Sequence, residues 1–485
     1  MNYRMISYIT GQIVRVEGVL MLFALLCAAI NREGTIMAFL IPSLVAIIAG
    51  SAVTIKRPAD TSIFARDGFV TVGLSWIILS AVGALPFVIS GEIPSFTDAF
   101  FETVSGFTTT GATILTNVEG LSKGILFWRS FTHWIGGMGV LVFVLAILPQ
   151  ADTRSVKLMH VMRAEVPGPK VGKLVSKISR TARITYGIYI VLTAVQVVFL
   201  LFGGMPLFDS LLTSFGTAGT GGFGIWNDSI AHYHSAYIEW VVGIFMLIFG
   251  INFNLYYFLL IGHVSEALRS EELHWYLAIV GGATALIAFD IHELFGSVGE
   301  SVRYAFFQVS SVITTTGFAT YDYNDWPALS KIVLVLLMFC GSCVGSTCGG
   351  IKVGRLILLV KSGLSEIKYM LHPRAVVTVR SEGKPVEAEV IRGTSSYMVV
   401  YIMLFTVSMF LIEMVEECDL VTGFTAVSAC LNNVGPGLGE VGPAGNFSMM
   451  TPFSKYLLSF NMLAGRLEIF PLLMLFAPST WKRVS

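Results

Sequence analysis

The sequence contains little charge. Asp, Glu, Lys and Arg make up 13% of its 485 residues, whereas 54% are hydrophobic and the mean hydropathy is +0.75. A soluble domain carries about a quarter charged residues, because these cover its surface. Many apolar runs here reach the roughly 20 residues that a helix needs to cross a bilayer. The composition therefore excludes a soluble protein and predicts an all-α integral membrane protein with several spans.

Cysteine is also scarce, and the formal net charge is zero. The six cysteines lie at positions 27, 340, 343, 348, 418 and 430, and no His residues accompany them at zinc-finger spacing. Small, apolar-tolerant side chains of this kind pack readily inside a helix bundle. We therefore expect no metal site formed by these cysteines.

The N-terminal segment, residues 1–67, holds two apolar runs near Ile13–Ile30 and Thr35–Val53. The first run lacks a small-residue cleavage motif and is followed directly by the second. This pattern is not that of a cleavable signal peptide. Both runs are predicted to be transmembrane helices that stand outside the internal repeat described next.

Four short glycine-containing segments recur along the chain. They read FTTTGAT at Phe107–Thr113, GTGGFG at Gly219–Gly224, ITTTGFAT at Ile313–Thr320 and NNVGPG at Asn432–Gly437. Their corresponding glycines are Gly111, Gly222, Gly317 and Gly435. The spacing of roughly 95 to 120 residues indicates a repeated structural unit.

Each glycine segment lies between two apolar helices and follows a short amphipathic piece that is too short to cross a membrane. The predicted helices are Thr71–Ser90, Ser95–Gly106 and Ile125–Leu148; Ile184–Phe202, Leu207–Phe215 and Tyr237–Ile261; Trp275–Phe289, Val302–Ile313 and Leu329–Gly341; and Tyr397–Met414, Leu420–Leu431 and Phe453–Phe476. Non-helical backbone survives at membrane depth where protein or a water-filled cavity surrounds it. This predicts ten transmembrane helices and four re-entrant pore loops, in a pseudo-fourfold arrangement around one pore. The repeats are residues 68–150, 151–262, 263–394 and 395–485.

Lys and Arg are concentrated on one predicted side of the membrane. They are Arg154, Lys157, Arg163, Lys170, Lys173, Lys177, Arg180 and Arg183 in segment 151–183; Lys352, Arg355, Lys361, Lys368, Arg374, Arg380, Lys384 and Arg392 in segment 352–392; and Lys482 and Arg483 at the C-terminus. Cytoplasmic loops are enriched in such residues. Both termini are therefore predicted to be cytoplasmic and the pore loops to open outward. The two basic segments could dock a cytosolic partner or contact anionic lipid headgroups.

The predicted outward connections are acidic. Their carboxylates are Glu92, Asp98, Glu102, Asp209, Asp228, Asp322, Asp325, Glu416, Glu417, Asp419 and Glu440. A negative vestibule concentrates cations at a pore mouth. Ordinary solubilising loop charge is the alternative for any one of these residues.

The glycine segments have the composition of an ion-selectivity filter, which replaces the hydration shell of a cation with a ring of backbone carbonyls. Glycine reaches the necessary backbone angles without a steric penalty. The predicted filter residues are Thr109, Thr110, Gly111, Thr220, Gly221, Gly222, Thr315, Thr316, Gly317, Asn433, Val434 and Gly435. Because the four copies differ, one well-defined cation position is expected rather than a long row of sites.

A second run of small residues follows the apolar helix of the third repeat. It spans residues 340–350 and includes Gly341, Cys343, Gly345, Ser346, Thr347, Gly349 and Gly350. Interior glycines cost a helix about 1 kcal/mol each relative to alanine. The run predicts a flexible intramembrane gate loop, with a small-residue packing face between helices as the alternative. Lys352 and Arg355 would then begin a cytoplasmic arm.

Arg466 lies in the middle of the last predicted span, where a charge costs at least about 2.5–3.5 kcal/mol. We expect it to line the pore below the filter and to hold carbonyls of the gate loop. An inert salt bridge with Glu468 is the alternative. Arg129 and His133 lie nearer the end of their span, so snorkelling or packing is expected for them.

The four helix–pore–helix units with one glycine each resemble the Trk/Ktr/HKT superfamily of potassium transporters. The two extra N-terminal spans resemble those of its bacterial Trk-type pore subunits. The resemblance covers the whole chain and implies potassium uptake across the bacterial inner membrane by a homodimer. It also implies gating by the loop at 340–350 and a cytosolic ring of TrkA-type regulators that bind NAD(H), ATP or ADP. No cofactor on this chain, no enzymatic activity and no nucleic-acid partner are expected.

Two other functions compete with this interpretation. A secondary transporter would couple K+ to H+ or Na+, but such proteins usually have inverted repeats and intramembrane carboxylates. The repeats here run parallel, and the predicted spans are largely free of carboxylates apart from Glu468. The G-x-G-x-x-G matches at Gly219–Gly224 and Gly437–Gly442 lack the strand–turn–helix context of a nucleotide site.

Overall fold

The structure is a computed structural model and describes residues 1–60, 63–139, 178–374 and 378–481. Apart from one hairpin of two-residue strands, β1 (Arg380–Ser381) and β2 (Lys384–Pro385), its regular structure is helical. The prediction of a helical membrane-type protein is confirmed. In chain order the helices are α1 Tyr3–Ile30, α2 Ile36–Thr54, α3 Ala65–Gly83, α4 Leu85–Ser90, α5 Phe96–Phe107, α6 Lys123–Gly137, α7 Ile178–Phe202, α8 Leu207–Gly219, α9 Ala236–Gly250, α10 Phe253–Leu260, α11 Val264–Leu268, α12 Glu271–Asp290, α13 His292–Phe295, α14 Val298–Ile313, α15 Ala328–Cys340, α16 Val353–Leu371, α17 Ala388–Val415, α18 Leu420–Asn432, α19 Pro452–Arg466, α20 Phe470–Phe476 and α21 Pro478–Trp481. Short 3-10 turns lie at Ser229–Tyr233, Tyr323–Asp325 and Gly439–Val441.

Six helical stretches in the described part of the chain are long and apolar enough to cross a membrane. They are Tyr3–Ile30, Ile36–Thr54, Ala65–Ser90, Arg183–Phe202, Glu271–Asp290 and Ala388–Val415. The pair α9 and α10 adds a seventh if both belong to one bent span. α15 and α18 are apolar but shorter.

The outer surface of the helix bundle is apolar. Large side chains such as Phe202 and Phe289 are exposed over 81% and 83% of their surface. Ser and Thr side chains, by contrast, are buried at the centre, among them Thr110 and Thr316. Lipid tails accept apolar side chains, whereas backbone and polar groups must find partners inside the protein. The distribution is that of a protein surrounded by lipid.

The packing divides into one large and several smaller apolar clusters. The large cluster joins the N-terminal helices α1 and α2 to the helices of the first and last repeats. A second cluster is built mainly on α12, α14 and α15, and a third on α7 and α9. The hydroxyl of Ser43 donates to the carbonyl of Gly18 at 2.7 Å and ties α1 to α2. The first and last repeats are therefore packed together, as closure of a ring requires.

Two helices that were predicted to be continuous are broken, and this corrects the sequence analysis. The span Tyr237–Ile261 divides into α9 and α10, which are bent by 90°. Between them the Asn252 side chain accepts from the Asn254 N–H and caps α10. The span Phe453–Phe476 divides into α19 and α20, because Glu468 and Ile469 have φ values of 54° and 67°. A right-handed helix cannot continue through such angles.

Other helices also differ from their predicted bounds. The span predicted at Thr71–Ser90 begins at Ala65, because the Asp67 carboxylate accepts from the Phe64 N–H at 3.1 Å and caps α3, and it continues through a turn at Ala84 into α4. Arg66 therefore lies in the first turn of the helix. α17 begins at Ala388 rather than Tyr397. Of the predicted span Ile125–Leu148, residues beyond 139 lie outside the described part, as does most of the basic segment 151–183.

Candidate functional site

The four glycine segments adopt the same backbone conformation. Each pore helix (α5, α8, α14 or α18) is followed by a non-glycine residue in the left-handed region and, two residues later, by a glycine with positive φ. These residues are Thr109, Thr220, Thr315 and Asn433, with φ of 55°, 57°, 53° and 55°, and Gly111, Gly222, Gly317 and Gly435, with φ of 85°, 74°, 85° and 98°. Each left-handed residue costs roughly 1–2 kcal/mol. Its fourfold recurrence therefore reflects a shared structural requirement.

The residue between these two positions is held by the same backbone hydrogen bond in all four segments. Its N–H donates to the carbonyl five residues earlier in the pore helix. The pairs are Thr110 to Ser105 at 2.9 Å, Gly221 to Gly216 at 2.8 Å, Thr316 to Ser311 at 2.8 Å and Val434 to Ala429 at 2.9 Å. The carbonyl end of each pore helix is thus joined to its glycine segment, where it supplies a field that favours a cation.

The four segments close into a ring. A Cβ atom placed on each glycine would collide with a carbonyl oxygen of the next segment: Gly111 with Gly221 at 2.0 Å, Gly222 with Thr316 at 1.9 Å, Gly317 with Val434 at 2.3 Å, and Gly435 with Thr110 at 2.7 Å. The order follows the chain, and the fourth segment returns to the first. Only glycine permits this approach. Glycine is therefore required at the four positions both by the close contact with a neighbouring carbonyl and by the positive φ.

Threonine and asparagine side chains brace the ring. The Oγ1 atoms of Thr108 and Thr110 are 2.8 Å apart, and those of Thr314 and Thr316 repeat this distance in the third segment. The Asn433 amide donates to Thr110 Oγ1 and to the Met462 carbonyl, both at 2.9 Å. It thereby links the fourth segment to the first.

The second segment has glycine at position 221 for a specific reason. A Cβ atom on Gly221 would lie 2.4 Å from the imidazole of His133 in α6. The ring of His133 also packs against Phe223 at 4.1 Å, and its Nδ1 lies 2.7 Å from the carbonyl oxygen of Gly106. The imidazole occupies the space that a threonine side chain would need.

The cavity beyond the glycines carries no carboxylate among its described lining residues. It is lined by residues that follow the four glycines, such as Ala112, Phe223, Ala319 and Pro436, together with Arg129. The predicted acidic vestibule therefore does not reach the immediate mouth. Several of its carboxylates have structural partners instead.

These partners are mainly helix ends and buried cations. Asp98 pairs with Lys455 at 2.6 Å, and Asp419 accepts from the Val421 N–H at the start of α18. Glu416 accepts from the N–H and the hydroxyl of Thr451 at the start of α19. Partial burial alone would raise the pKa of Glu416, but the hydrogen bonds from Ser454 and Thr451 lower it below its ordinary value.

Residues 341–352 connect α15 to α16 without forming a helix, and they contact the ring on the side opposite the cavity. The gate loop that was predicted at 340–350 thus begins one residue later, because Cys340 is the last residue of α15, and from here on the gate loop means residues 341–352. Its residues Gly341, Gly345 and Gly350 have φ values of 65°, 78° and 74°. The Gly349 N–H donates to Thr315 Oγ1 at 2.7 Å, and a Cβ atom on Gly349 would lie 2.3 Å from the carbonyl of Asn432. The loop therefore touches the third and fourth glycine segments.

Arg466 holds the gate loop against α6. Its guanidinium donates to the carbonyl of Thr347 at 2.6 Å and to those of Gly136 and Gly137 at 2.5 and 2.7 Å. The carboxylate of Glu468, the alternative partner in the sequence analysis, forms an ion pair with Arg355. Arg466 thus contacts the loop, and its charge lies at the end of the ring that faces away from the cavity.

Two further contacts fix the gate loop to neighbouring helices. Cys343 donates its N–H to the Gly250 carbonyl at 3.2 Å, and the Gly345 carbonyl accepts from the Phe253 N–H at 3.1 Å. Within the loop, Ser346 donates its hydroxyl to the Cys343 carbonyl at 2.7 Å. The break between α9 and α10 therefore receives the loop.

Sequence reasoning missed Glu272, which ties the gate loop to the first turn of α16. Its carboxylate accepts from the Val344 N–H at 2.7 Å and from the Gly354 N–H at 3.0 Å. Two adjacent acids at the start of α12 are ordinary in a first helical turn, so the sequence carried no signal. Lys352 and Arg355, predicted to begin a cytoplasmic arm, are instead buried.

Two charged residues bear on the sequence analysis. Of the alternatives expected for Arg129, snorkelling or packing, the structure has packing, because the side chain is only 2% exposed and pairs with Glu102 at 2.6 Å. The spans are also less free of carboxylates than the sequence analysis stated. Glu17 in α1 is buried, and neither of its oxygens has a hydrogen-bond partner among the described residues.

An apolar helical exterior around a closed ring of carbonyl-bearing segments is the architecture of a membrane protein for cation transport. The sequence matches the family described as TrkH, cation transport protein, over residues 35–281 and 290–483. The chain therefore belongs to the TrkH family.

Individual relatives match over almost the whole chain. The Trk system potassium uptake protein TrkH of Salmonella typhimurium is 39% identical over 497 residues, which cover 99% of this chain and 100% of that protein. TrkG of Escherichia coli K12, also a Trk system potassium uptake protein, is 34% identical, with 99% of each chain covered. The crystal structure of the potassium transporter TrkH from Vibrio parahaemolyticus superposes with a TM-score of 0.89 at 34% identity and covers 99% of this chain and 100% of that one.

Proposed function

We propose that this protein takes up K+ across the bacterial inner membrane through the ring of four glycine segments. The carbonyls of Thr110, Gly221, Thr316 and Val434 face neighbouring glycines around a closed circle. That closure is the observation that carries the proposal, because a ring of carbonyls can replace the hydration shell of a cation. The predicted filter residues supply one well-defined K+ position. The relatives named as potassium uptake proteins support the choice of ion.

The proposed architecture has ten transmembrane helices and four re-entrant pore loops. The repeats are residues 68–150, 151–262, 263–394 and 395–485, and the two N-terminal spans in 1–67 stand outside them. Both termini are cytoplasmic and the mouth cavity faces outward. The broken pairs α9–α10 and α19–α20 each count as one span.

The gate loop closes the pore below the filter, with Arg466 as its central anchor. A cytosolic ring of TrkA-type proteins that bind NAD(H), ATP or ADP displaces the loop by acting on the basic segments 151–183 and 352–392. This chain acts as a homodimer and holds no cofactor of its own. The positive charge of Arg466 next to Thr347 supports this role, because it repels cations until the loop moves.

Symport of K+ with H+ or Na+ is the alternative. One observation favours it: the buried carboxylate of Glu17 has no partner among the residues described. Ionisable groups inside a membrane often mark proton or ion pathways. Glu17 lies at α3 beside Gly83, where a Cβ atom would come within 3.0 Å of its Oε1.

Growth of a bacterial strain that lacks its own K+ uptake systems tests the proposal. Expression of this protein together with a TrkA-type partner should restore growth at limiting K+ and should raise the uptake of Rb+, an analogue of K+. The same strain with an empty vector is the control. Absence of Rb+ uptake, with the protein present in the membrane, would contradict the proposed function.

A further inference from the structure

A buried ion pair lies directly beside the ring. Glu102 in α5 and Arg129 in α6 are 1% and 2% exposed, and Arg129 Nε lies 2.6 Å from Glu102 Oε1. Desolvating two charges is costly, and the cost is offset only when both groups also find further hydrogen bonds. Here the further hydrogen bonds lead to two different glycine segments.

Glu102 holds the backbone that leaves the first segment. Its carboxylate accepts from the hydroxyl of Thr113, with distances of 2.9 and 3.1 Å to its two oxygens, and from the N–H of Ile114 at 3.0 Å. Thr113 follows the filter glycine Gly111 by two residues. The carboxylate therefore fixes the path of the chain immediately after the filter.

Arg129 reaches the second segment. Its Nη1 donates to the carbonyl of Gly224 at 2.8 Å, two residues after the filter glycine Gly222. Its Cζ lies 3.6 Å from the centroid of the Phe223 ring, a cation–π contact. The ion pair thus connects equivalent positions in the first and second segments.

The other three pore helices lack this acid. The position seven residues before the left-handed residue is Glu102 in the first repeat and Thr213, Gln308 and Ala426 in the others. The connection is therefore specific to the boundary between segments one and two.

We propose that Glu102 and Arg129 are positioning residues that set the distance between the first and second filter segments and thereby the preference for K+ over Na+. The inference rests on the proposed K+ filter and assigns part of its selectivity to this pair. Neither residue contacts the ion. They act through Thr113 and Gly224, and hence through the carbonyls of Thr110 and Gly221.

Permeability ratios in purified, reconstituted protein test the inference. In Glu102→Gln, an NH2 group replaces one carboxylate oxygen and cannot accept from the hydroxyl of Thr113, the N–H of Ile114 or the guanidinium of Arg129. The K+ to Na+ permeability ratio should therefore fall about tenfold, which is the effect of losing one charge-assisted hydrogen bond. Glu293→Gln, which neutralises an exposed carboxylate in α13 away from the glycine segments, should keep the wild-type ratio.

The double variant Glu102→Gln, Arg129→Gln separates positioning from folding. It leaves no unpaired buried charge, so it should remain folded and monodisperse. Its permeability ratio should nevertheless stay low, because a glutamine side chain is shorter than that of arginine and does not reach the Gly224 carbonyl. A wild-type ratio in either folded variant would overturn the inference and leave the proposed K+ function intact. Absence of K+ permeation by the wild type would instead overturn the proposed function.

Discussion

At the residue scale, the four filter glycines are explained by what surrounds them. Gly222 combines a φ of 74° with a carbonyl oxygen 1.9 Å from any added Cβ atom. The sequence predicted the register of these glycines because the repeat aligned them. It could not explain Gly221, since His133 lies in a different helix and 88 positions earlier in the chain. Contacts of that kind depend on tertiary packing.

Gly222→Ala should disrupt the filter. The new Cβ atom would collide with the Thr316 carbonyl, which must then turn away from its place in the ring. We expect the K+ to Na+ permeability ratio to fall by at least about tenfold, equivalent to 1.4 kcal/mol. Gly281→Ala is the matched control, because nothing lies within 4 Å of a Cβ atom there and the residue is inside α12. Equal ratios in the two variants would contradict the role of the ring.

Arg466→Ala should increase K+ flux in the absence of a regulator. The substitution removes three hydrogen bonds to Thr347, Gly136 and Gly137 and a positive charge beside the filter. Hydrogen bonds from a charged group contribute about 1.5–3 kcal/mol each. Their loss should therefore raise the open probability of the gate loop by at least about tenfold. Single-channel or Rb+ flux measurements check this. Arg269→Ala, at an exposed arginine, should leave the flux unchanged.

At the scale of elements, the sequence predicted the non-helical run after α15 but not the other breaks. Repeated glycines mark the gate loop directly. The bend at Asn252 and the left-handed residues Glu468 and Ile469 carry a weaker signal, a nearby Gly250 and Pro471. Single glycines and prolines are tolerated within transmembrane helices, so they did not separate a break from a continuous span. These breaks follow from packing around the loop, as the hydrogen bond between Phe253 and Gly345 indicates.

Glu272→Ala should loosen the gate loop without affecting the filter. It leaves the N–H groups of Val344 and Gly354 without their shared acceptor. Since an unsatisfied buried donor costs about 1–3 kcal/mol, basal K+ flux should rise roughly tenfold while the permeability ratio stays constant. Glu300→Ala removes a half-exposed first-turn acid from α14 and serves as the control. A changed permeability ratio with unchanged flux would contradict the assignment of Glu272 to the gate.

At the scale of the whole molecule, composition and repeats were sufficient to predict the class. Low charge indicated the membrane, and the glycine segments indicated a cyclic arrangement of repeats. Burial of individual charges could not be predicted in the same way. Glu17, Arg129 and Arg355 are all buried. Their surroundings in the sequence do not distinguish them from charged residues that face solvent, because the groups that pack around them come from other helices.

The reversal potential of the purified protein in a planar bilayer tests the central claim most directly. K+, Na+ and pH gradients would be imposed one at a time. A conductive K+ filter predicts reversal at the K+ or mixed-cation equilibrium potential, with no dependence on the pH gradient. A reversal potential that moves with the proton or Na+ gradient at a fixed ratio would contradict the account and would direct attention to the carboxylate of Glu17.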